Sequence, residues 1–423
     1  MLGRSKRRNP TNEFVEKGIR PGDEFQVGPI RPEVKIAPIK RVALFAESFL
    51  PKIDGVSKTA VLVARHLQNT GRDVLIFAPD NEGNTPHFLG PSQVVSVPAL
   101  GLPFAPETKM AFPSFLVSSY LDDFQPDMIH LFSPAVLSVA GVLFGSSRRL
   151  PVIANYQTDL PGYAEKYGYY LFSNPVRDVL RVMHNRAHLT LAPTHSVIRQ
   201  LKSWGFRRLR LWGRGSDHQR FGPHRRSPEL RAKLLAGRPD DSLLVLYVGR
   251  LAPEKRVDLL RDVAKIPGVA LTIVGDGPER ENLEGMFGQS AHFTGYLFGD
   301  GLADAYANAD LFAFTGTNET FGQVVMEAMS SGLPVLVPNS GGVVDLVLDG
   351  MNGYICQDDP GDYARKVEKI RNNEAHRCRM SELALEYARS RPWETLMEEL
   401  EGYYWEAWRM NASGKHYSDY DED

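Results

Sequence analysis

Short apolar runs, each followed by a loop and then a stretch of helical spacing, recur along the chain. They leave room for little but open α/β sheets. Arg41-Val-Ala-Leu-Phe-Ala46 is a short run, apolar after Arg41, with the character of a buried parallel strand. A loop over Glu47–Gly55 follows, then helical spacing from Val56 to Asn69 that stops at Gly71. The same rhythm predicts strands at 74–78, 128–132, 152–156 and 189–192, and restarts at 243–249, 269–274, 311–314 and 334–337. Alternating strands and helices predict doubly wound parallel sheets. The rhythm is interrupted over Trp212–Pro239, rich in Arg, Gly and Pro, and 423 residues suffice for two domains. Ligands of such sheets sit beyond the carboxyl ends of the strands, so the cleft between two such domains is the expected site.

The loops at those strand ends carry the chemistry. Glu319-Thr-Phe-Gly322 leads into a helix that contains Val324 and Glu327 and stops at Gly332, before Pro334. Thr317, Asn318 or Thr320 is expected to cap that helix, and Gly322 to lie in its first turn, where a missing Cβ lets amides approach an anion. A helical rise over eight residues would part the two carboxylates by roughly 12 Å, the reach of a sugar plus a diphosphate. The competing reading is a capped helix with an exposed Glu327. Gly249-Arg250 through Lys255 follows a strand and is expected to open another helix; its cations suit a diphosphate or are ordinary surface charges, and Glu254 pairs with either. Gly275-Asp276-Gly277 is a turn, with Tyr296 and Leu297 expected beside it as walls for a nucleobase.

In the first half, Asp54-Gly55 precedes a helix whose amides would seat an anion, Gly55 marking the place. Gln157-Thr158-Asp159 follows the fourth strand. Asp159 is either an acid/base group for a hydroxyl or the N-cap of a helix that Pro161 begins. Aromatics from Tyr163 to Phe172 and the cations Arg177, Arg181 and Arg186 suit either an anionic membrane surface or a core with a solvated face. A helix near Trp393–Arg409, dense in aromatics, must pack on something, and in this fold class it crosses back to the first domain.

Composition excludes several classes. A net charge of −2 argues against nucleic-acid binding, and two cysteines make neither a disulfide framework nor a metal site. No apolar stretch is long enough to span a membrane, and the basic start has no apolar region after it, so no secretory signal is read; the expected location is cytoplasmic or peripheral on the cytosolic face of a membrane. The acidic end is expected to be disordered. The dinucleotide fingerprint is missing, which disfavours a dehydrogenase. A glycoside hydrolase would need carboxylates about 5–10 Å apart and no diphosphate seat.

Taken in order, Ala46-Glu-Ser-Phe-Leu-Pro51, Asp54-Gly-Val-Ser57, Tyr156-Gln-Thr-Asp159, Gly249-Arg through Lys255, Gly275-Asp-Gly-Pro278 and Glu319 through Glu327 resemble glycosyltransferase family 4. Within it the chain is most similar to GDP-mannose-dependent α-mannosyltransferases that act on glycolipids, with sulfoquinovosyl- and glucosyl-diacylglycerol synthases related. The resemblance implies a GT-B fold: an irregular extension over 1–40, an acceptor-side domain over 41–222, a nucleotide-sugar domain over 223–390, a returning helix over 391–410 and an acidic tail over 411–423. It implies retention of configuration, a nucleotide-sugar donor, a lipid or glycolipid acceptor, and no metal or other cofactor. Arg250 and Lys255 would hold the diphosphate, Glu327 the ribose, and Glu319 with the amides around Phe321 and Gly322 the sugar. Gly55 would sit near the phosphates, with Asp54, Gln157, Thr158 and Tyr163 on the acceptor side. UDP-sugars are the alternative donors, and a sugar-nucleotide-binding scaffold is the alternative of another class. Two departures stand out. Gln157-Thr-Asp159 replaces a histidine loop, and Arg214-Gly-Ser-Asp217 replaces the Asn-Gly-Val-Asp of many members.

Overall fold

The computed structural model describes residues 22, 25–102, 105–111, 115–133, 135–162 and 170–414. They form two units. One holds the described residues up to Ala192, Gln200–Trp212 and those from Met397 on; the other holds Pro193–Arg199 and Gly213–Leu396.

The first unit is built on strands β1 (Arg41–Ala46), β2 (Asp73–Pro79), β3 (Phe88–Leu89), β4 (Ser92–Val97), β7 (Met128–Phe132), β8 (Val152–Asn155), β9 (Leu189–Ala192) and β10 (Leu209–Leu211); β5 (Ala99–Leu102) and β6 (Ala105–Ala111) pair apart as an antiparallel hairpin. The sheet order is β10-β9-β8-β7-β1-β2-β4-β3, parallel except at β3. The order reverses between β1 and β7, so the loops after these strands flank the crevice of this sheet. Helices α1 (Gly55–Asn69), α2 (Phe115–Phe124), α3 (Val136–Arg148) and α4 (Tyr170–His184) connect the strands, and α5 (His195–Ser203) follows β9.

In the second unit β11 (Leu243–Val248), β12 (Val269–Val274), β13 (Ala291–Gly295), β14 (Leu311–Ala313), β15 (Val335–Pro338) and β16 (Gly353–Cys356) form an all-parallel sheet in the order β13-β12-β11-β14-β15-β16. Every residue of β11 and β12 is buried, which explains their unbroken apolar sequence. Helices α6 (Pro228–Leu235), α7 (Arg280–Phe287), α8 (Gly299–Ala307), α9 (Gln323–Ser330), α10 (Pro360–Arg371) and α11 (Glu374–Arg389) complete it. Here the strand order reverses between β11 and β14, and the loops after these two strands carry Arg250 and Glu319.

Helix α12 (Trp393–Ala412) starts in the second unit and from Met397 belongs to the first. There it is tied by buried polar contacts. The Glu401 carboxylate, 0 % exposed, accepts from both terminal nitrogens of Arg72 (2.5 and 2.8 Å), lies 2.7 Å from His66 Nε2, and accepts from the Ala37 amide at 3.1 Å. Tyr404 Oη meets His130 Nδ1 at 2.9 Å, and Arg210 pairs with Glu406. Residues 25–40 are irregular as expected, but they are packed: Phe25, Val27, Ala37 and Ile39 are buried. The helix runs three residues past Arg409, with Met410 of its last turn buried. The remainder of the acidic tail, 415–423, lies outside the described residues, as does the basic start.

Candidate active site

Two turns at the carboxyl edge of the second sheet are pressed together by their backbones. Gly249 N donates to Val274 O at 3.0 Å, Leu251 N to Asp276 O at 2.9 Å, and Gly275 N to Gly295 O at 2.9 Å. A Cβ on Gly275 would stand 1.9 Å from Gly249 O, and its φ is +139°, so only glycine serves there. Tyr296 donates from its hydroxyl to Asp276 O at 3.0 Å and stacks on Phe298 with ring centroids 5.7 Å apart, leaving an exposed flat face beside the Gly275–Gly277 turn. Leu297 packs partly buried against the core. The structure thus brings Gly275, Asp276, Gly277, Tyr296 and Leu297 together with Gly249.

The residues after Gly249 do not open an α-helix. Pro253–Lys255 and Val257–Leu260 are short 3-10 turns, separated by Arg256 at φ +48°. A left-handed residue cannot continue an α-helix, so no helix dipole faces the site from this side. Arg250 pairs with the buried Glu254. Lys255 is left to reach Glu319, which follows β14, and the two form a salt bridge. The Lys255 backbone is held from β14 as well, Thr315 Oγ1 donating to Lys255 O at 2.6 Å. Burial pushes the Glu319 carboxyl up, but the charge and hydrogen bond of Lys255 and the charge of Arg214 outweigh it, and the net shift is downward. Glu319 is therefore a carboxylate at neutral pH.

None of Thr317, Asn318 and Thr320 caps α9. The N-cap is Gly322, at φ +88°, which has no side chain to cap with. The reason is tertiary: the backbone of the 317–320 loop is held by distant neighbours, with Gly342 N donating to Glu319 O at 2.6 Å and Thr194 Oγ1 to Thr320 O at 3.2 Å. The chain must then reverse at Gly322, where a Cβ would stand 2.4 Å from Val343 Cγ1. Phe321 is buried beneath the turn and anchors it. Because the helix begins only at Gln323, a helical rise cannot be applied over the whole span from Glu319 to Glu327, and the separation of roughly 12 Å drawn from it loses its basis. Val324 lies in the first turn, packed against the core. Glu327 is not exposed: at 8 % it is buried, and the Tyr306 hydroxyl lies 3.5 Å from its Oε2. This burial overturns the reading of a capped helix with an exposed Glu327.

In the first unit the residues after β1 and β8 are arranged for support. Asp54 is the N-cap of α1: its Oδ1 accepts from Val56 N (3.0 Å) and Ser57 N (2.9 Å), and Ser57 Oγ accepts from Asp54 N. The amides that were expected to seat an anion beside Gly55 are thus taken by this carboxylate. Asp159 takes its capping role, accepting from Gly162 N at 3.1 Å and from the Tyr156 hydroxyl at 3.2 Å, ahead of a helical turn at 160–162. Gln157 is buried, and Thr158 bonds to Ser133 at 3.0 Å. Tyr163 lies outside the described residues. On α4, Val179 and Val182 are exposed beside Arg177 and Arg181, while Leu180 and Met183 are buried.

Reading the sequence missed several groups. Arg214, Tyr306, Thr194 and Gly342 all act on the Glu319–Glu327 segment. Only Arg214 left a signal, as a departure from a motif; the others lie on elements with no motif of their own. Glu47, after β1, was also missed. Its Oε1 accepts from Ala135 N and Ser138 N, both at 2.8 Å at the start of α3, and burial pushes its carboxyl up to about 7 against those amides. Among the described residues no three His, Cys, Asp or Glu side chains cluster as metal ligands, and no helix is long and apolar enough to cross a membrane.

Comparison with known proteins adds to this geometry. The family model described as Glycosyl transferases group 1 matches residues 229–387, and that described as Glycosyltransferase Family 4 matches 53–220. A GDP-mannose-dependent alpha-mannosyltransferase of Mycobacterium tuberculosis is 38% identical over 86% of this chain and 96% of its own length. A sulfoquinovosyl transferase of Arabidopsis thaliana is 32% identical over 96% of this chain and 79% of its own. Among solved structures, a sucrose-phosphate synthase from Thermosynechococcus elongatus superposes with a TM-score of 0.75 at 20% identity, covering 89% of this chain and 100% of that one, a likeness of fold.

Proposed function

The chain belongs to glycosyltransferase family 4, with the GT-B fold, and is a hexosyltransferase; from that premise we propose that it transfers mannose from GDP-mannose, with retention and without a metal, to a lipid-linked or glycolipid acceptor. The observation that carries the reading is the Lys255–Glu319 pair at the point where the second sheet reverses its strand order, combined with the identity to GDP-mannose-dependent relatives. In this proposal Arg250 and Lys255 receive the diphosphate, in place of a metal, as charge develops on it. Glu319 and the uncapped amides at the start of α9 hold the sugar, Glu327 takes the ribose hydroxyls, and the flat face of Tyr296 borders the base. The bond from the sugar's anomeric carbon to the phosphate oxygen breaks with its electron pair on phosphate. The acceptor oxygen bonds to the same face, and its proton passes to the departing phosphate oxygen.

A donor screen by direct binding tests the reading. Selective binding of GDP-mannose is expected. A preference for UDP-sugars would favour the second reading, a UDP-sugar-dependent enzyme of the sulfoquinovosyl- or glucosyl-diacylglycerol type, supported by the sulfoquinovosyl transferase that matches almost the whole chain. Binding without turnover would leave a scaffold. Glu327→Ala should weaken donor binding by about tenfold or more, because a buried charge-assisted contact is worth ~1.5–3 kcal/mol; unchanged affinity by calorimetry would remove the ribose assignment. Asp159 is assigned to orient the acceptor hydroxyl. Asp159→Asn keeps an oxygen for the Gly162 amide, so its melting temperature should stay put while transfer falls and donor hydrolysis persists. Equal loss of stability and transfer would reduce Asp159 to a cap. Contact with an anionic membrane from the cytosolic side belongs to the same proposal, supported by the exposed Val179 and Val182 beside the half-buried Arg177 and Arg181 of α4.

A further inference from the structure

The linker residue Arg214 has no part in the reading above, yet the structure fixes it beside the donor site. It is 6 % exposed although it lies in an irregular segment. The segment is immobilised from two sides. Ser216 N donates to Arg391 O at 3.0 Å, and the Trp393 ring lies 2.8 Å from where a Cβ on Gly215 would stand. From α9, Gln323 Nε2 donates to Gly215 O at 3.2 Å, and the Ser330 hydroxyl bonds to that of Ser216. The Phe321 ring packs within 3.8 Å of the Cβ position of Gly213. The backbone on both sides of Arg214 is thus braced against the helix and the loop that present Glu319, and the buried Arg214 charge acts on that carboxylate.

The charges then need counting. Lys255 and Arg250 are each held by an acid, Glu319 and Glu254. A diphosphate can draw Lys255 only by loosening its bridge to Glu319, which would strand a partly buried carboxylate. We propose that Arg214 is a positioning residue for donor binding: a fixed second cation that holds the Glu319 carboxylate in place when the donor diphosphate takes Lys255. The role rests on the donor-site assignment above. It also gives the Arg-Gly-Ser-Asp linker a purpose that asparagine, uncharged, would not fill.

The test uses the full-length protein with GDP-mannose as probe, following affinity by calorimetry, GDP release across about pH 4 to 8, and the melting temperature. Glu319 is bridged to Lys255 and feels the charge of Arg214, and the charged groups acting on the neighbouring Tyr247 are Lys255, Glu319, Glu254 and Arg250. Losing Arg214 removes a charge that lowers the Glu319 carboxyl, so the acid limb of donor binding should move to higher pH. Arg214→Gln is expected to weaken GDP-mannose binding by about tenfold and shift that limb upward, and Arg214→Lys to restore most of both. Wild-type affinity and an unmoved acid limb in Arg214→Gln would overturn the inference. So would Arg214→Lys binding as weakly as Arg214→Gln while melting lower, which would make the residue a packing element. If the wild-type protein binds neither GDP-mannose nor any UDP-sugar, the donor assignment itself fails and this role with it.

Discussion

Lys255→Ala is expected to lower kcat by about 10²–10³-fold, the usual effect of deleting one group that faces developing charge on a leaving group. Its effect on donor affinity should be much smaller. In the resting site Lys255 is committed to Glu319, so part of its interaction with the diphosphate is offset by the bridge it must loosen. The offset shrinks as the glycosidic bond breaks and the phosphate gains charge, and catalysis is this difference between ground and transition states. The lysine is well placed for it. Thr315 fixes its backbone, and Phe314 lies beneath its Nζ, 5.9 Å from the ring centroid, so the ammonium needs little reorganisation. Single-turnover measurements with GDP-mannose separate the two terms. A variant that loses affinity and keeps its rate at saturating donor would mean that Lys255 only binds.

Much of this site was legible in the sequence because backbone geometry and sequence pattern coincide there. β11 and β12 are unbroken apolar runs, since both faces are covered, and the turns after them announce themselves by glycine. The short edge strands β13 and β16 escaped notice. An edge strand such as Ala291–Gly295 is half-exposed, its pattern mixes polar and apolar residues, and no run marks it. The expected helix after Gly249 failed for a different reason: Arg256 adopts a left-handed backbone that its residue type does not announce. The caps expected before α9 failed because Thr320 and Glu319 give their carbonyls to Thr194 and Gly342, partners more than a hundred and about twenty residues away. Tertiary contacts of that kind leave no local trace, and the burial of Glu327 under Tyr306 is another case of it.

Glu401→Gln should be the most destabilising single change discussed, and it should act far from the chemistry. Glu401 is fully buried on α12, and it is the shared acceptor of Arg72, His66 and the Ala37 amide. Glutamine keeps the shape and loses the charge, leaving the Arg72 guanidinium, itself 5 % exposed, with no countercharge from this carboxylate. Breaking a buried pair in this way costs about 3–5 kcal/mol, roughly 10 °C in melting temperature for a unit of this size. The pH dependence carries a sign that tests the same contact. Burial raises the Glu401 carboxyl, but the hydrogen bonds from Arg72 and His66 overcome it and bring it down to about 2. A carboxyl depressed in the folded state contributes stability that is complete above its unfolded value of about 4.3 and disappears as pH falls toward 2. The wild-type protein should therefore lose about 3 kcal/mol across that window through this group alone, and Glu401→Gln should lack that part of the acid transition. Urea unfolding at neutral pH and near pH 3 reads both quantities. Matching midpoints for the two proteins at neutral pH would mean that the helix is held by its apolar face, Leu400, Tyr404 and Ala407, and that the buried charges are incidental.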